Sequence, residues 1–271
     1  MTLGNTPAHA QSTTPYPAKP VRLIIPFPPG SSTNDILGRA LAQRLSEALG
    51  QQFVVDNRPG VGGNLGSEIA AKSVADGYTL LIGTNGPIGI SPHIYKTLGY
   101  DPLRDLAPVT LYAMVPYAII VHASVKANNI YELIALAKTA PGKLNYASPG
   151  SGSTPHLCME MFKRQAGVDI THVPYKGGGL AVNDLIAGEI DFLISDTLPV
   201  MQFLKAGKLR ALAVTSSSRF ASLPIVPTFT EAGTPGLVAL NWWGFYLPKN
   251  TPNPIVGQYL AALNASMKDP E

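Results

Sequence analysis

From residue 19 onward the chain alternates short apolar runs with longer segments in which apolar residues recur every three or four positions. This alternation predicts strands and amphipathic helices in turn, the signature of the α/β class. Val21, Leu23, Ile24 and Ile25 lie in a nearly continuous apolar run, which predicts a strand over 21–26. Leu37, Leu41, Leu45 and Leu49 then share one helical face that stops at Gly50, a residue suited to the left-handed turn that ends a helix. Further strands are predicted over 53–56, 78–83, 144–147, 170–173, 190–195 and 210–215. Further helices are predicted over 65–75, 130–139, 155–166 and 181–187.

Two stretches repeat the same order. In the first, a strand runs into Pro28-Pro29-Gly30-Ser31-Ser32-Thr33, then come a helix, a strand, the loop Pro59-Gly60-Val61-Gly62-Gly63-Asn64, a helix, and a strand ending at Thr84. In the second, a strand meets Ser148-Pro149-Gly150-Ser151-Gly152-Ser153-Thr154, and a later strand leads into Pro174-Tyr175-Lys176-Gly177-Gly178-Gly179. Such a repeat predicts two lobes around a cleft. Residues 117–122 are expected to leave the first lobe and 243–247 to return beside them as an antiparallel hinge pair. The expected division is residues 18–113 with 239–271 for lobe 1, 114–238 for lobe 2, and 1–17 as an export-signal remnant or tail.

The 271 residues allow two lobes, because single cores stop growing at about 250 to 300 residues. Charged residues make up only 14%, so much of the polar chemistry falls to uncharged groups. The net charge is +3 and the basic residues form no stripe, which argues against a nucleic-acid partner. No apolar run approaches the roughly 18 residues of a membrane span, so direct membrane insertion is not expected. The small-x-small motif Ala8-His9-Ala10 resembles a signal-peptidase site, predicting export with cleavage near Ala10. The single cysteine, Cys158, falls in a helical pattern and reads as a buried thiol.

Candidate chemistry centres on the first loop of each half. A helix N-terminus presents unpaired N–H groups and the positive end of its dipole, which suits an anion. Gly30, Ser31, Ser32 and Thr33, and Ser148, Gly150, Ser151, Gly152, Ser153 and Thr154, are therefore the candidate ligand-binding residues. Thr154-Pro155 fits an N-cap followed by a first helical position, and Ser32 with Asp35 resembles a capping box. Helix capping by itself is the competing account. Thr84, Asn85 and Asp196 sit at the carboxyl ends of equivalent strands, where open α/β sheets place ligands, and turn chemistry is their alternative. Phe27 is a candidate pocket wall or a core aromatic. Asp35 or Asp196, if in the cleft, would meet a polar end of the ligand or orient water. Trp242-Trp243 reads as packing between lobes.

Enzymatic readings compete. A hydrolase could use Ser153 and His156, and a nucleotide-using enzyme could use a Gly/Ser loop. However, there is no Walker lysine, no G-x-G-x-x-G after a strand and no G-x-S-x-G elbow. His9, His93, His122, His156 and His172 are too dispersed for a zinc site, so no metal or cofactor is expected.

Several collinear motifs resemble the Bug family of solute receptors, which serve tripartite tricarboxylate transporters. They are Tyr16-Pro-x-Lys-Pro-Val-Arg-Leu-Ile-Ile-Pro-Phe-x-Pro-Gly30, Asp56-Asn57-Arg58-Pro59-Gly60, Ala75-Asp76-Gly77-Tyr78-Thr79, Tyr100-Asp101-Pro102, Val173-Pro174-Tyr175-Lys176-Gly177 and Val226-Pro227-Thr228-Phe229. The resemblance implies a type II periplasmic-binding-protein fold with two hinge strands and a periplasmic location. It also implies a monomer that closes around a di-, tri- or aromatic carboxylate and delivers it to a membrane permease. The two strand-helix loops would hold the carboxylate, often through water. In the first loop Ser31 stands where the family commonly has a second glycine, and family members continue past the position of Glu271 with helices that complete lobe 1.

Overall fold

The structure, a computed structural model, describes residues 16–30, 32–234 and 236–267. Ser31 and all but the last two residues of the expected signal remnant lie outside this set.

In chain order the first half holds β1 (Val21–Ile25), α1 (Thr33–Leu49), β2 (Phe53–Asn57), α2 (Asn64–Ala71), β3 (Thr79–Thr84), α3 (Ser91–Ile94) and α4 (Pro102–Asp105). A long strand, β4 (Leu106–His122), leads into α5 (Ile130–Thr139), β5 (Asn145–Ser148), α6 (Thr154–Ala166), β6 (Thr171–Pro174), α7 (Gly178–Ala187) and β7 (Phe192–Asp196). Then follow α8 (Met201–Lys205), β8 (Leu209–Val214), β9 (Leu240–Pro248) and α9 (Asn253–Ser266).

The strands run β2-β1-β3-β9-β4-β7-β5-β6, with β8 also on β4. The repeat in the sequence is thus a repeat in space. β2-β1-β3 are parallel and carry antiparallel β9, while β6-β5-β7 are parallel and carry antiparallel β4. The inner strands β1, β3 and β7 are buried on both faces, which is why they read as nearly unbroken apolar runs. Side-chain alternation then sends neighbours into different cores. Leu80 and Ile82 pack with Leu41, Leu45, Trp243 and Tyr259, whereas Leu81 joins Ile24, Ala70 and Leu106. In the second half Ile119 and Val121 pack with Tyr146, Phe162 and Phe192, and Ala118 and Ile120 with Leu185, Leu193 and Val214. Trp243, expected between the lobes, is a core residue of the first half.

The hinge pairing differs from the sequence expectation. β9 pairs with β4 from Leu106 to Pro116, and Trp243 lies opposite Ala113. Residues 117–122 instead pair with β7 and β8 in the second half. The apolar run at 117–122 was visible because both of its faces are buried. The preceding 106–116 alternates partly exposed positions and carries prolines, so it lacks a strand signal. Helix α2 is also shorter than expected, ending at Ala71.

Candidate functional site

In the first loop, Ser32 caps α1 by accepting the Asp35 N–H at 3.4 Å. Asp35 is buried and its carboxylate is fully occupied. It accepts the Gly30 N–H at 2.9 Å, Arg39 Nε at 2.8 Å and Asn57 Nδ2 at 2.9 Å. Burial pushes its acidity toward the neutral form, but the Arg39, Gly30 and Asn57 donors prevail and hold it below the usual carboxylate range. Asp35 therefore organises the loop instead of facing the cleft. Gly30 has φ +119°, a conformation open to glycine and strained for other residues.

The second loop has the same device at Gly150, with φ +143°. Ser148 is buried, and its Oγ accepts the Gly150 N–H at 3.2 Å and shares a 2.7 Å hydrogen bond with His172 Nε2. Ser153, one residue before the expected cap Thr154, is the N-cap of α6: its Oγ accepts the His156 N–H at 3.4 Å and donates to the Gly150 carbonyl at 2.6 Å. Gly152 N–H donates to His156 Nδ1 at 3.1 Å. Ser151 is exposed and Thr154 half-buried.

Tertiary structure connects the two helix starts. Thr33, in the first turn of α1, faces the Asp196 carboxyl at the end of β7, although its buried Oγ1 completes no hydrogen bond. Asp196 is buried beside Tyr117, its register partner on β4, and the Tyr117 phenol faces the Thr154 hydroxyl. A line of polar groups, Thr33, Asp196, Tyr117 and Thr154, thus runs from the N-terminus of α1 to that of α6. Burial raises the Asp196 carboxyl above its ordinary range, against the Asn241 amide that donates to it at 2.8 Å. Burial, with the nearby Asp196 charge, also raises the Tyr117 phenol.

The loops of the two halves also touch. A Cβ added at Gly177 would lie 3.3 Å from Pro28, and one at Gly152 would lie 2.7 Å from Ile94 Cδ1. Beside the polar line, a cavity of about 520 Å³ is lined by Thr33, Leu37, Val115, Thr197, Met201 and Lys205 among others. Of the candidate residues, only Thr33 lines it.

Three candidates lie elsewhere. Phe27 is half-buried and packs toward Gly63, within 3.1 Å of the place a Cβ would take there. Thr84 is buried in register with Trp243 on β9. Asn85 donates to Leu240 O at 2.9 Å and accepts the Trp242 N–H at 3.0 Å, pinning β9. Sequence reading missed Tyr117, His172 and Asn241. Their contacts join residues 24 to 45 positions apart or more, and no local spacing announces them.

The description "Tripartite tricarboxylate transporter family receptor" (TctC) matches residues 37–271. The chain belongs to this receptor family. The protein BugT of Bordetella pertussis is 40% identical over 89% of this chain and 74% of its own length. Among solved structures, the periplasmic binding protein BugD superposes with a TM-score of 0.89 at 36% identity, over 94% of this chain and 85% of that one. The R. palustris protein Rpa4515, solved with adipate, gives 0.87 at 40% over 93% and 83%. MatC (Rpa3494) from Rhodopseudomonas palustris, solved with malate, gives 0.88 at 29% over 94% and 86%. The TctC receptor therefore has the two-lobed fold of periplasmic binding proteins, with β4 and β9 as the strands joining its halves.

Within this receptor the Ser153 hydroxyl is committed to the Gly150 carbonyl, and His156 Nδ1 to the Gly152 amide. The two side chains form no nucleophile–base pair. Cys158 is buried and its thiol is pushed up to about 11 by burial, an inert setting. Among the described residues no helix is long and apolar enough to cross a membrane, and no group of His, Cys, Asp or Glu could hold a metal ion.

Proposed function

We propose that this receptor captures a small carboxylate between the N-termini of α1 and α6, closes its halves over it, and delivers it to a permease from the periplasm without chemical change. The observation that carries this reading is the approach of the two halves at these loops, with Gly177 against Pro28 and Gly152 against Ile94. Each start has a glycine-containing loop whose backbone an anion can approach, and helix N-termini favour negative charge. Adipate and malate in two structural relatives support the ligand class. The largely apolar cavity beside Thr33 suits a hydrocarbon chain or ring.

A thermal-shift panel of aliphatic mono-, di- and tricarboxylates, acidic amino acids and aromatic acids tests this. At a hundredfold excess over Kd, a ligand of the folded state adds about 2.7 kcal/mol of stability, enough to move the melting temperature by several degrees. The bound acid must be recovered intact. Silence of the folded protein across the panel, or conversion of the acid, overturns the reading.

A further inference from the structure

Helices of opposite halves face each other across the cavity of about 520 Å³ beside Thr33. Thr33 and Leu37 lie one turn apart on α1, and Met201 and Lys205 one turn apart on α8, so each helix turns one face to the same space. Val115 of the joining strand β4 and Phe220 of the second half also line it.

The two ends of this cavity differ in kind. Thr33 is buried at the N-terminus of α1, and its Oγ1 has no hydrogen-bond partner. A hydroxyl held away from water in this way is costly until a ligand or water meets it. Lys205 is exposed, has no ion-pair or hydrogen-bond partner among the described residues, and is the one charged residue among them that lines the cavity. A second hollow of about 450 Å³ adjoins the first, since Leu198, Met201 and Lys205 line both. The space therefore runs from a partnerless hydroxyl at the inner end, past apolar walls, to an ammonium at the solvent end.

We infer that Lys205 is a specificity-determining residue for the far end of the ligand. An acid held at the start of α1 lays its hydrocarbon middle along Leu37, Val115 and Met201, and a second carboxylate at its other end pairs with the Lys205 ammonium. This rests on the reading that one carboxylate sits at the helix starts. Apolar walls alone would favour a monoacid over the diacid of equal length, because a second carboxylate loses hydration against them. Lysine at the exposed end reverses that order: its flexible stem brings three donors to the carboxylate while water still reaches the pair. The step from Thr33 to Leu37 is about 6 Å along α1, so a diacid with a short spacer such as succinate falls short of Lys205. A longer diacid touches α1 in one half and α8 in the other, and so favours the closed form.

Titration calorimetry of the full chain at neutral pH, where both ends of a diacid are ionised, compares succinate, adipate and hexanoate. Adipate is expected to bind more tightly than succinate, and more tightly than hexanoate by roughly fivefold, the upper end for a solvent-exposed ion pair. The preference over hexanoate should shrink at high salt, because exposed charges are screened. Lys205→Met, an exposed change that leaves folding intact, keeps an unbranched stem without the charge and should bring adipate down to the level of hexanoate. Ala113→Leu fills the cavity from β4 and should weaken adipate and hexanoate together while affecting succinate less. Equal wild-type affinity for adipate and hexanoate, tighter binding of succinate than of adipate, or a preference that survives in Lys205→Met overturns the inference and leaves the receptor reading in place. Full adipate affinity in Ala113→Leu does the same, as does silence of these three acids while another acid of the wider panel binds. Silence across the whole panel overturns the receptor reading as well.

Discussion

Asn241 Nδ2 donates to Asp196 Oδ1 at 2.8 Å, a buried bond between residues 45 positions apart. Asn241 lies opposite Val115 on β4 and Asp196 opposite Tyr117 on the same strand, so the bond spans the point where β4 passes from β9 to β7. It clasps the two halves of the sheet at their junction. Removing only the donor leaves a buried carboxyl with less support, so Asn241→Leu is expected to cost about 1–3 kcal/mol in urea unfolding.

Asp196 also gives stability a definite pH dependence. Burial raises its folded-state pKa above the unfolded value. Its contribution is therefore fully present below the unfolded carboxylate pKa and is lost as pH rises through the folded one. Asp196→Asn should remove that loss, so melting temperatures of variant and wild type diverge toward neutral pH in the variant's favour. Parallel curves would count against this.

Asp35 carries the opposite sign. Its folded pKa is lowered by Arg39, Gly30 and Asn57 against the effect of burial. The stability it supplies is present above the unfolded carboxylate pKa and is lost as pH falls through the folded value. Asp35→Asn should flatten the acid side of the stability profile. It should also weaken carboxylate binding at neutral pH, because the Gly30 amide loses its anchor, and titration calorimetry would show this.

Ser153→Ala removes the cap of α6, which is expected to cost about 1 kcal/mol in denaturant unfolding. Because the same hydroxyl fixes Gly150, carboxylate affinity should fall too. Abolished turnover of an acid with unchanged affinity would favour a hydrolase instead.

Ile94→Asp probes closure. Ile94 is half-exposed and meets Gly152 of the other half. A surface change of this kind normally alters folding stability by no more than about 0.5 kcal/mol. Carboxylate affinity should nevertheless drop, and small-angle scattering with ligand should show a more open molecule. Unchanged affinity would remove this contact from the closing mechanism.

Sequence by itself determined the elements and their repetition. Strand and helix periods are local, and Leu37, Leu41 and Leu45 or the run from Val21 to Ile25 declare them within one element. The loops at Gly30 and Gly150 were legible for the same reason, since glycine, serine and a helix start lie together in the chain. Tertiary structure decided which half of β4 pairs with β9, because hydrogen-bond register depends on a partner more than a hundred residues away. It also decided that Asp35 serves its own loop while Asp196, Tyr117 and Asn241 meet between the halves, and that His156 and His172 stack behind Ser148. Side chains distant in sequence meet only when the sheet is assembled, and their ionisation follows from the burial and partners they acquire there.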